Sequence, residues 1–123
     1  MVLRAAALDA VFHALADATR RAMLRELASG ERNISELAAP FKMSFAAASK
    51  HVRVLEDARL VRRRIQGRTH VCRIDPARLA AADQWLRYYE RFWTLKLDAL
   101  DALLNAEDRA APSLKKGHHR NAS

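Results

Sequence analysis

Residues 44–53, SFAAASKHVR, carry the side chains best suited to chemistry, and that chemistry is contact with DNA. The candidate DNA contacts among its small, hydroxyl-bearing and basic residues are Ser44, Ala46, Ser49, Lys50 and Arg53. On a helix, the short side chains would let the backbone approach base edges, and a basic side chain could reach a base or a phosphate. Phe45 is either a wedge against DNA or a contact to the core. We keep it among the candidate DNA contacts, although the core is the favoured interpretation.

A basic hairpin is predicted after this segment, and we call it the wing. Residues 61–74 alternate with a period of two on either side of a turn at Gly67. Arg62 and Arg64 share one face of the first strand and are candidate DNA contacts. Arg68, at the tip, is the best candidate for the phosphate backbone or the minor groove. The alternative is that these arginines only keep an exposed edge strand soluble.

The distribution of charge supports a nucleic-acid partner. The chain of 123 residues has a net charge of +8, and residues 50–75 contain eight basic and three acidic residues. Positive charge is therefore concentrated on the segment predicted to contact DNA, as neutralisation of phosphates requires.

Four helices are predicted before the wing. The first covers residues 6–16, and Asp17 is a candidate N-cap for a second that buries Met23, Leu24 and Leu27. Asn33 and Glu36 have the spacing of a capping box that opens a third helix, Ile34–Ala39, which Pro40 should end. Ser44 is the candidate N-cap of the fourth helix, which extends to about Ala58 with Ala48, Val52 and Leu55 facing the core.

A long fifth helix is predicted after the wing. Asp75-Pro76 is a typical helix start, and the helix extends to about Asn105. Its apolar residues recur at intervals of seven, and the apolar band is wider than one small domain needs. The chain turns polar after Asn105, so we predict one domain over residues 1–105 and a flexible basic tail over 106–123.

The composition argues against several other classes of protein. The only cysteine, Cys72, excludes an internal disulfide and is expected to be a small core or strand residue, although a redox role stays open. Arg4 and Asp9 interrupt the N-terminal segment, so no leader is predicted, and no run is apolar enough for a membrane span. No nucleophile–base pair or glycine-rich phosphate loop is recognisable. We expect a cytoplasmic protein that is not an enzyme.

The segments ALADATRR, SKHVRVLEDA and RRRIQGRTHVCRID resemble the second helix, the recognition helix and the wing of ArsR/SmtB-type winged-helix repressors. The resemblance spans residues 8–105. It implies a mainly α fold with a small β-hairpin, in the order α-α-α-α-β-β-α, and a homodimer that binds a palindromic operator until an inducer arrives. It also implies that the first and last helices form the dimer interface. The residues assigned to that interface are Leu8, Val11, Phe12, Leu86, Tyr89, Trp93, Leu97 and Leu100.

Three departures from the family pattern are visible. Ala46 replaces a frequent proline, and Arg59 replaces the glycine that usually ends the recognition helix. Asn33 and Ser35 stand where metal-sensing members have cysteines, and residues 76–105 contain no histidine. Because soft metals need several thiolate or imidazole ligands, we expect this protein to belong to the branch of the family that has no metal site, and we expect no other cofactor. The inducer, a small molecule or a protein, is not identified by these residues.

Three other functions remain open at this point. One is a metal sensor with an unusual site, which tight binding of zinc or cadmium that releases operator DNA would reveal. The same charge fits an architectural protein that binds DNA without sequence preference, and a footprint without discrete sites would indicate it. The apolar band of the last helix fits a module that binds a different protein, and a monomer in solution would favour that interpretation.

Overall fold

The computed structural model describes residues 3–110. The described elements are α1 (Ala5–Leu15), α2 (Ala18–Ala28), β1 (Arg32–Asn33), α3 (Ile34–Ala38), a 3₁₀ turn (Ala39–Phe41), α4 (Phe45–Asp57), β2 (Val61–Gln66), β3 (Thr69–Ile74) and α5 (Ala77–Ala110). They belong to two units, one up to Trp85 and one from Leu86 onward. The mainly helical fold and the order of the long elements agree with the prediction from sequence.

Three of the predicted helix caps are confirmed. The Asp17 carboxylate accepts a hydrogen bond from the Arg20 amide at 3.0 Å, and the Ser44 hydroxyl accepts one from the Ala47 amide at 3.1 Å. Asn33 and Glu36 form a reciprocal capping box, with both distances 2.8 Å. Each cap satisfies amides that have no partner in the first turn of a helix and contributes about 1 kcal/mol to stability.

Pro40 ends the α-helical hydrogen bonding of α3, but not in the way that the sequence suggested. α3 ends at Ala38, and Pro40 lies within the 3₁₀ turn. Ala39 keeps helical geometry, with φ −54° and ψ −46°. The proline therefore ends α3 because it has no amide hydrogen to donate, and the residue before it is not turned away from helical geometry.

The sheet has three strands, whereas the sequence predicted two. β3 lies in the centre, and β1 and β2 pair with it in antiparallel register. Arg32 is opposite Cys72 and Asn33 is opposite Val71. Two residues carry no detectable periodicity, so β1 exists only because the chain before α3 passes alongside β3.

The core of the first unit is formed by one side of each helix and by the inner side of the sheet. Its largest fully buried side chains are Met23, Ile34, Leu37, Leu55, Leu60, Val11, Val52, Val61 and Cys72. Cys72 is therefore a core residue, and burial raises the pKa of its thiol. The assignment of Val11 to a dimer interface is wrong, because a side chain with 0% exposure cannot contact a partner.

α5 continues beyond the predicted end at Asn105 and reaches Ala110. Residues 106–110 are thus helical rather than part of a flexible tail, and the rest of the predicted tail lies outside the described residues. In the second unit, the large apolar side chains from Leu86 to Leu104 are between 41% and 68% exposed. No helix within residues 3–110 combines the length and apolar character needed to cross a membrane.

Arg59 adopts the left-handed conformation that the family's glycine would adopt more easily. Its φ is 61°, and it follows α4 in a Schellman-type ending. The Leu60 amide donates to the Leu55 carbonyl and the Arg59 amide donates to the Glu56 carbonyl, each at 2.9 Å. The left-handed conformation of Arg59 reverses the chain after α4, so that both hydrogen bonds form while the Leu60 side chain is fully buried.

The variant Arg59→Gly is expected to raise the free energy of unfolding by about 1 kcal/mol, because glycine has no Cβ to clash at positive φ. Urea denaturation of the two proteins would measure the difference. Arg59→Ala is the matched control, since it removes the same charge and keeps the Cβ. An equal gain in both variants would show that charge repulsion, and not backbone strain, is responsible.

Candidate nucleic-acid interface

α4 has one buried side and one exposed polar side. Ala48, Val52 and Leu55 are fully buried, which fixes the orientation of the helix. Lys50 and Arg53 are exposed on the outer side. Two long cationic side chains therefore project from a helix that cannot rotate without exposing its core residues.

The first turn of α4 is open to solvent. Ser44, Phe45 and Ala46 are exposed, and Ser49, one turn later, is half-buried. The favoured interpretation that Phe45 packs in the core is wrong, because its side chain is 55% exposed. The Ser44 hydroxyl already accepts the Ala47 amide, which leaves its O–H and one lone pair for a contact with DNA.

The outer face of the wing is held by two ion pairs that the sequence did not predict. The Arg62 Nε donates to the Asp75 Oδ2 at 2.8 Å, and the Arg64 Nη1 donates to the Glu31 Oε2 at 2.8 Å. Hydrogen bonding to these arginines lowers the pKa of both carboxyls and raises the pKa of Arg64. Arg62 and Arg64 are 66% and 54% exposed, so both side chains are accessible from solvent despite their ion pairs.

Arg63 faces the opposite side of β2 and joins the wing to α4. Its Nη2 donates to the Glu56 Oε1 at 2.9 Å, and its Nη1 lies 3.1 Å from the His70 Nδ1. Arginine has no acceptor, so the His70 nitrogen must accept this hydrogen bond. The side chain is 18% exposed and its Nε is buried without a partner. Arg63 therefore supports the wing rather than offering its charge to DNA.

The tip of the wing is a tight turn. Gly67 has a φ of 66°, in the left-handed region that glycine tolerates. Arg68 follows it, is exposed, and forms no ion pair with any residue between 3 and 110. Of the three wing arginines predicted to contact DNA, it is the one whose charge is not already paired with a carboxylate.

The Arg62–Asp75 pair makes stability depend on pH. A carboxyl whose pKa is lowered on folding contributes stability that is complete above its unfolded pKa, about 4. The contribution is lost as the pH falls through the lower, folded value. Asp75→Asn keeps an oxygen for the Ala77 amide, which the Asp75 Oδ1 accepts at 3.2 Å, but removes the ion pair.

We expect Asp75→Asn to be less stable than the unaltered protein at neutral pH by up to about 1 kcal/mol, and equally stable in acid. Urea denaturation as a function of pH would measure the convergence. Asp57→Asn is a suitable control, because Asp57 is an exposed carboxyl that pairs with no described residue. If both variants gave the same pH profile, the ion pair would contribute nothing.

No group of three or more histidine, cysteine, aspartate or glutamate side chains within residues 3–110 is placed to hold a metal ion. Asn33, at one position where metal-sensing members have cysteine, is committed to the capping box that opens α3.

An exposed basic helix, preceded by a short helix and followed by a basic hairpin, defines a winged helix-turn-helix DNA-binding protein. Comparison with known proteins identifies the family. Residues 15–64 match a family model described as a helix-turn-helix domain. The HTH-type transcriptional regulator Rv2034 of Mycobacterium tuberculosis is 41% identical over 99 residues, which cover 80% of this chain and 90% of that protein.

Solved structures give the same result. The crystal structure of an ArsR family transcriptional regulator is 38% identical with a TM-score of 0.70, and the match covers 76% of this chain and 97% of that one. The homodimeric winged helix-turn-helix domain from Mycobacterium bovis is 24% identical with a TM-score of 0.53, over 93% of this chain and 88% of that one; it shows the fold alone. The chain belongs to the ArsR family of helix-turn-helix transcriptional regulators.

Proposed function

We propose that the protein is a homodimeric repressor that binds a palindromic operator through α4 and the wing. The observation that carries the proposal is the fixed orientation of α4, which buries Ala48, Val52 and Leu55 and exposes Lys50 and Arg53. An α-helix fits the major groove, and the short side chains of its first turn would let it enter deeply. The candidate base and phosphate contacts on this helix are Ser44, Phe45, Ala46, Ser49, Lys50 and Arg53.

The wing would bind the backbone beside the groove that α4 occupies. Arg68 is the primary contact, because its guanidinium is exposed and not held by a carboxylate. Arg62 and Arg64 would contribute less, since a phosphate must first displace Asp75 or Glu31. Because one anion only replaces another, the exchange gains little free energy. Arg62 and Arg64 would therefore contribute less to the affinity for DNA than Arg68 does.

The dimer is supported by apolar side chains that the described chain does not cover. In the second unit, Leu86, Tyr89, Trp93, Leu97 and Leu100 are between 41% and 66% exposed. On α1, Leu8 and Phe12 are only partly buried, and Phe12 stacks edge to face on Trp85 with ring centroids 5.6 Å apart. Exposed apolar surface of this kind marks an interface. The two-fold symmetry of a homodimer would match a palindromic operator.

The signal that releases the operator is proposed to be a small molecule or a partner protein rather than a metal ion. Asn33 and Ser35 occupy the positions where metal-sensing members have cysteines, and neither can supply the thiolate that a soft metal prefers. Because its ligand is chromosomal DNA, we place the protein in the cytoplasm.

The decisive test is selection of duplexes from random sequence by the purified full-length protein, followed by footprinting on the best duplex and on a scrambled version. We expect one palindromic sequence, with half-sites about one helical turn apart, and affinity that falls steeply as salt rises. Equal affinity for the selected and scrambled duplexes would instead indicate an architectural protein. Absence of any DNA binding by a monomer would indicate a module that binds another protein.

A further inference from the structure

The Arg20 side chain contacts residues of α1, of α4 and of the turn before α2, and it is not one of the candidate DNA contacts. Its Nε donates to the Ala14 carbonyl at 2.7 Å, and its Nη2 donates to the His13 carbonyl at 3.0 Å. Its Nη1 lies 3.3 Å from the His51 Nδ1 and 4.0 Å from the Asp17 Oδ2. The Arg20 side chain is 12% exposed, and its hydrogen bonds to Ala14 and His51 are partly buried.

Two of these hydrogen bonds complete the end of α1. The last four carbonyls of an α-helix have no partner within the helix, and cationic side chains are favoured beside them. Arg20 donates to the carbonyls of His13 and Ala14, and its neighbour Arg21 donates to that of Leu15 at 2.7 Å. The His13 carbonyl also accepts the Ala16 amide at 3.2 Å. Capping of α1 is thus shared by two consecutive arginines of α2.

The third hydrogen bond distinguishes the two arginines. His51 belongs to α4 and lies between Lys50 and Val52, so Arg20 connects the end of α1 directly to the helix proposed to read DNA. Arginine has only donors, and the His51 Nδ1 must therefore accept. Arg21, by contrast, is exposed, and the Leu15 carbonyl is its side chain's only hydrogen-bond partner among residues 3–110.

We infer that Arg20 is a positioning residue for DNA recognition, which sets the placement of α4 against the end of α1 through His51. The inference rests on the proposed function. α1 also carries Leu8 and Phe12 of the proposed dimer interface. The contact between Arg20 and His51 would therefore also fix the position of α4 relative to that interface. No other side chain of α4 donates or accepts a side-chain hydrogen bond with α1 or α2 within the described residues.

The test is a double-variant cycle on the full-length protein, with the duplex that the unaltered protein selects from random sequence and its scrambled version as probes. Arg20→Gln and His51→Ala are each expected to weaken binding to the selected duplex about tenfold, and the double variant no further. Arg21→Gln is the matched control, because it removes the same charge and another α1 cap, and its affinity should stay within twofold of the unaltered protein.

A conservative variant separates positioning from general damage. In His51→Asn, the amide oxygen takes the place of Nδ1 as an acceptor for Arg20, and we expect affinity to be restored to within about threefold. Thermal unfolding of each variant, measured in parallel, identifies the fraction that is folded. Arg20→Gln and Arg21→Gln should both lower the melting temperature, whereas only Arg20→Gln should weaken binding.

Each outcome decides the inference. Losses that multiply in the double variant would overturn it, because Arg20 and His51 would then act independently. It would also be overturned if Arg20→Gln bound like Arg21→Gln, or if His51→Asn bound as weakly as His51→Ala. Failure of the unaltered protein to prefer any selected duplex would instead reject the proposed function on which the inference rests.

Discussion

Trp93→Asp is expected to turn the dimer into a monomer and to weaken operator binding by about a hundredfold or more. Trp93 is 66% exposed in the protomer, so the substitution leaves the described core intact. In a dimer it would place a carboxylate within an apolar contact, where an unpaired charge is strongly unfavourable. Loss of the second half-site removes the gain from bivalent binding, which commonly reaches 10²–10⁴-fold.

Sedimentation velocity would report the oligomeric state, and titration of the selected duplex would report the affinity. Arg91→Gln is the control, since it shifts the charge of the same helix by the same amount. Arg91 is two residues from Trp93, which in an α-helix places it on nearly the opposite side. A dimeric Trp93 variant would mean that this side of α5 is not the interface. A monomeric variant that keeps full affinity would mean that one protomer is sufficient for recognition.

Lys50→Ala and Arg68→Ala are expected to weaken binding in two different ways. Lys50 lies on the exposed side of α4, so its removal should reduce the preference for the selected duplex over the scrambled one by about tenfold or more. Arg68 lies at the wing tip, so its removal should weaken binding to both duplexes by a similar factor. The Arg68→Ala substitution should also make the binding constant less dependent on salt. The slope of log K against log salt should become shallower by about one for each phosphate contact that is lost.

Arg25→Ala serves as the control for both variants. Arg25 is exposed on α2 and is not a candidate DNA contact, so the loss of its charge should change affinity only slightly. Titrations at several salt concentrations would separate the two effects. If Lys50→Ala lowered the affinities for both duplexes equally, Lys50 would contact phosphate, and base recognition would have to come from the other residues of the first turn.

The local elements were predictable because the interactions that define them are close in sequence. Asp17, Asn33 and Ser44 each accept an amide three residues later, and such caps can be recognised from residue type and spacing. The position of Arg59 was also visible from the sequence as a departure from the family's glycine, and the φ of 61° there follows from the way α4 ends.

Most of the errors have a different origin, because they depend on contacts between residues that are distant in sequence. Val11 and Phe45 were misjudged since an amphipathic pattern does not say whether a side chain meets its own core, a partner or solvent. β1 was missed because its two residues form a strand only against β3. The predicted end at Asn105 was wrong because a polar composition does not by itself stop a helix.

The sequence by itself determined where positive charge, short side chains and caps lie along residues 33–74, and therefore that the chain reads DNA with a helix and a wing. The tertiary structure decided which of those charges are available. It pairs Arg62 with Asp75 and Arg64 with Glu31, commits Arg63 to Glu56, and leaves Lys50, Arg53 and Arg68 exposed. The reason is physical: a charge at a given position is a local property, whereas its neutralisation depends on a carboxylate that folding brings within hydrogen-bonding distance.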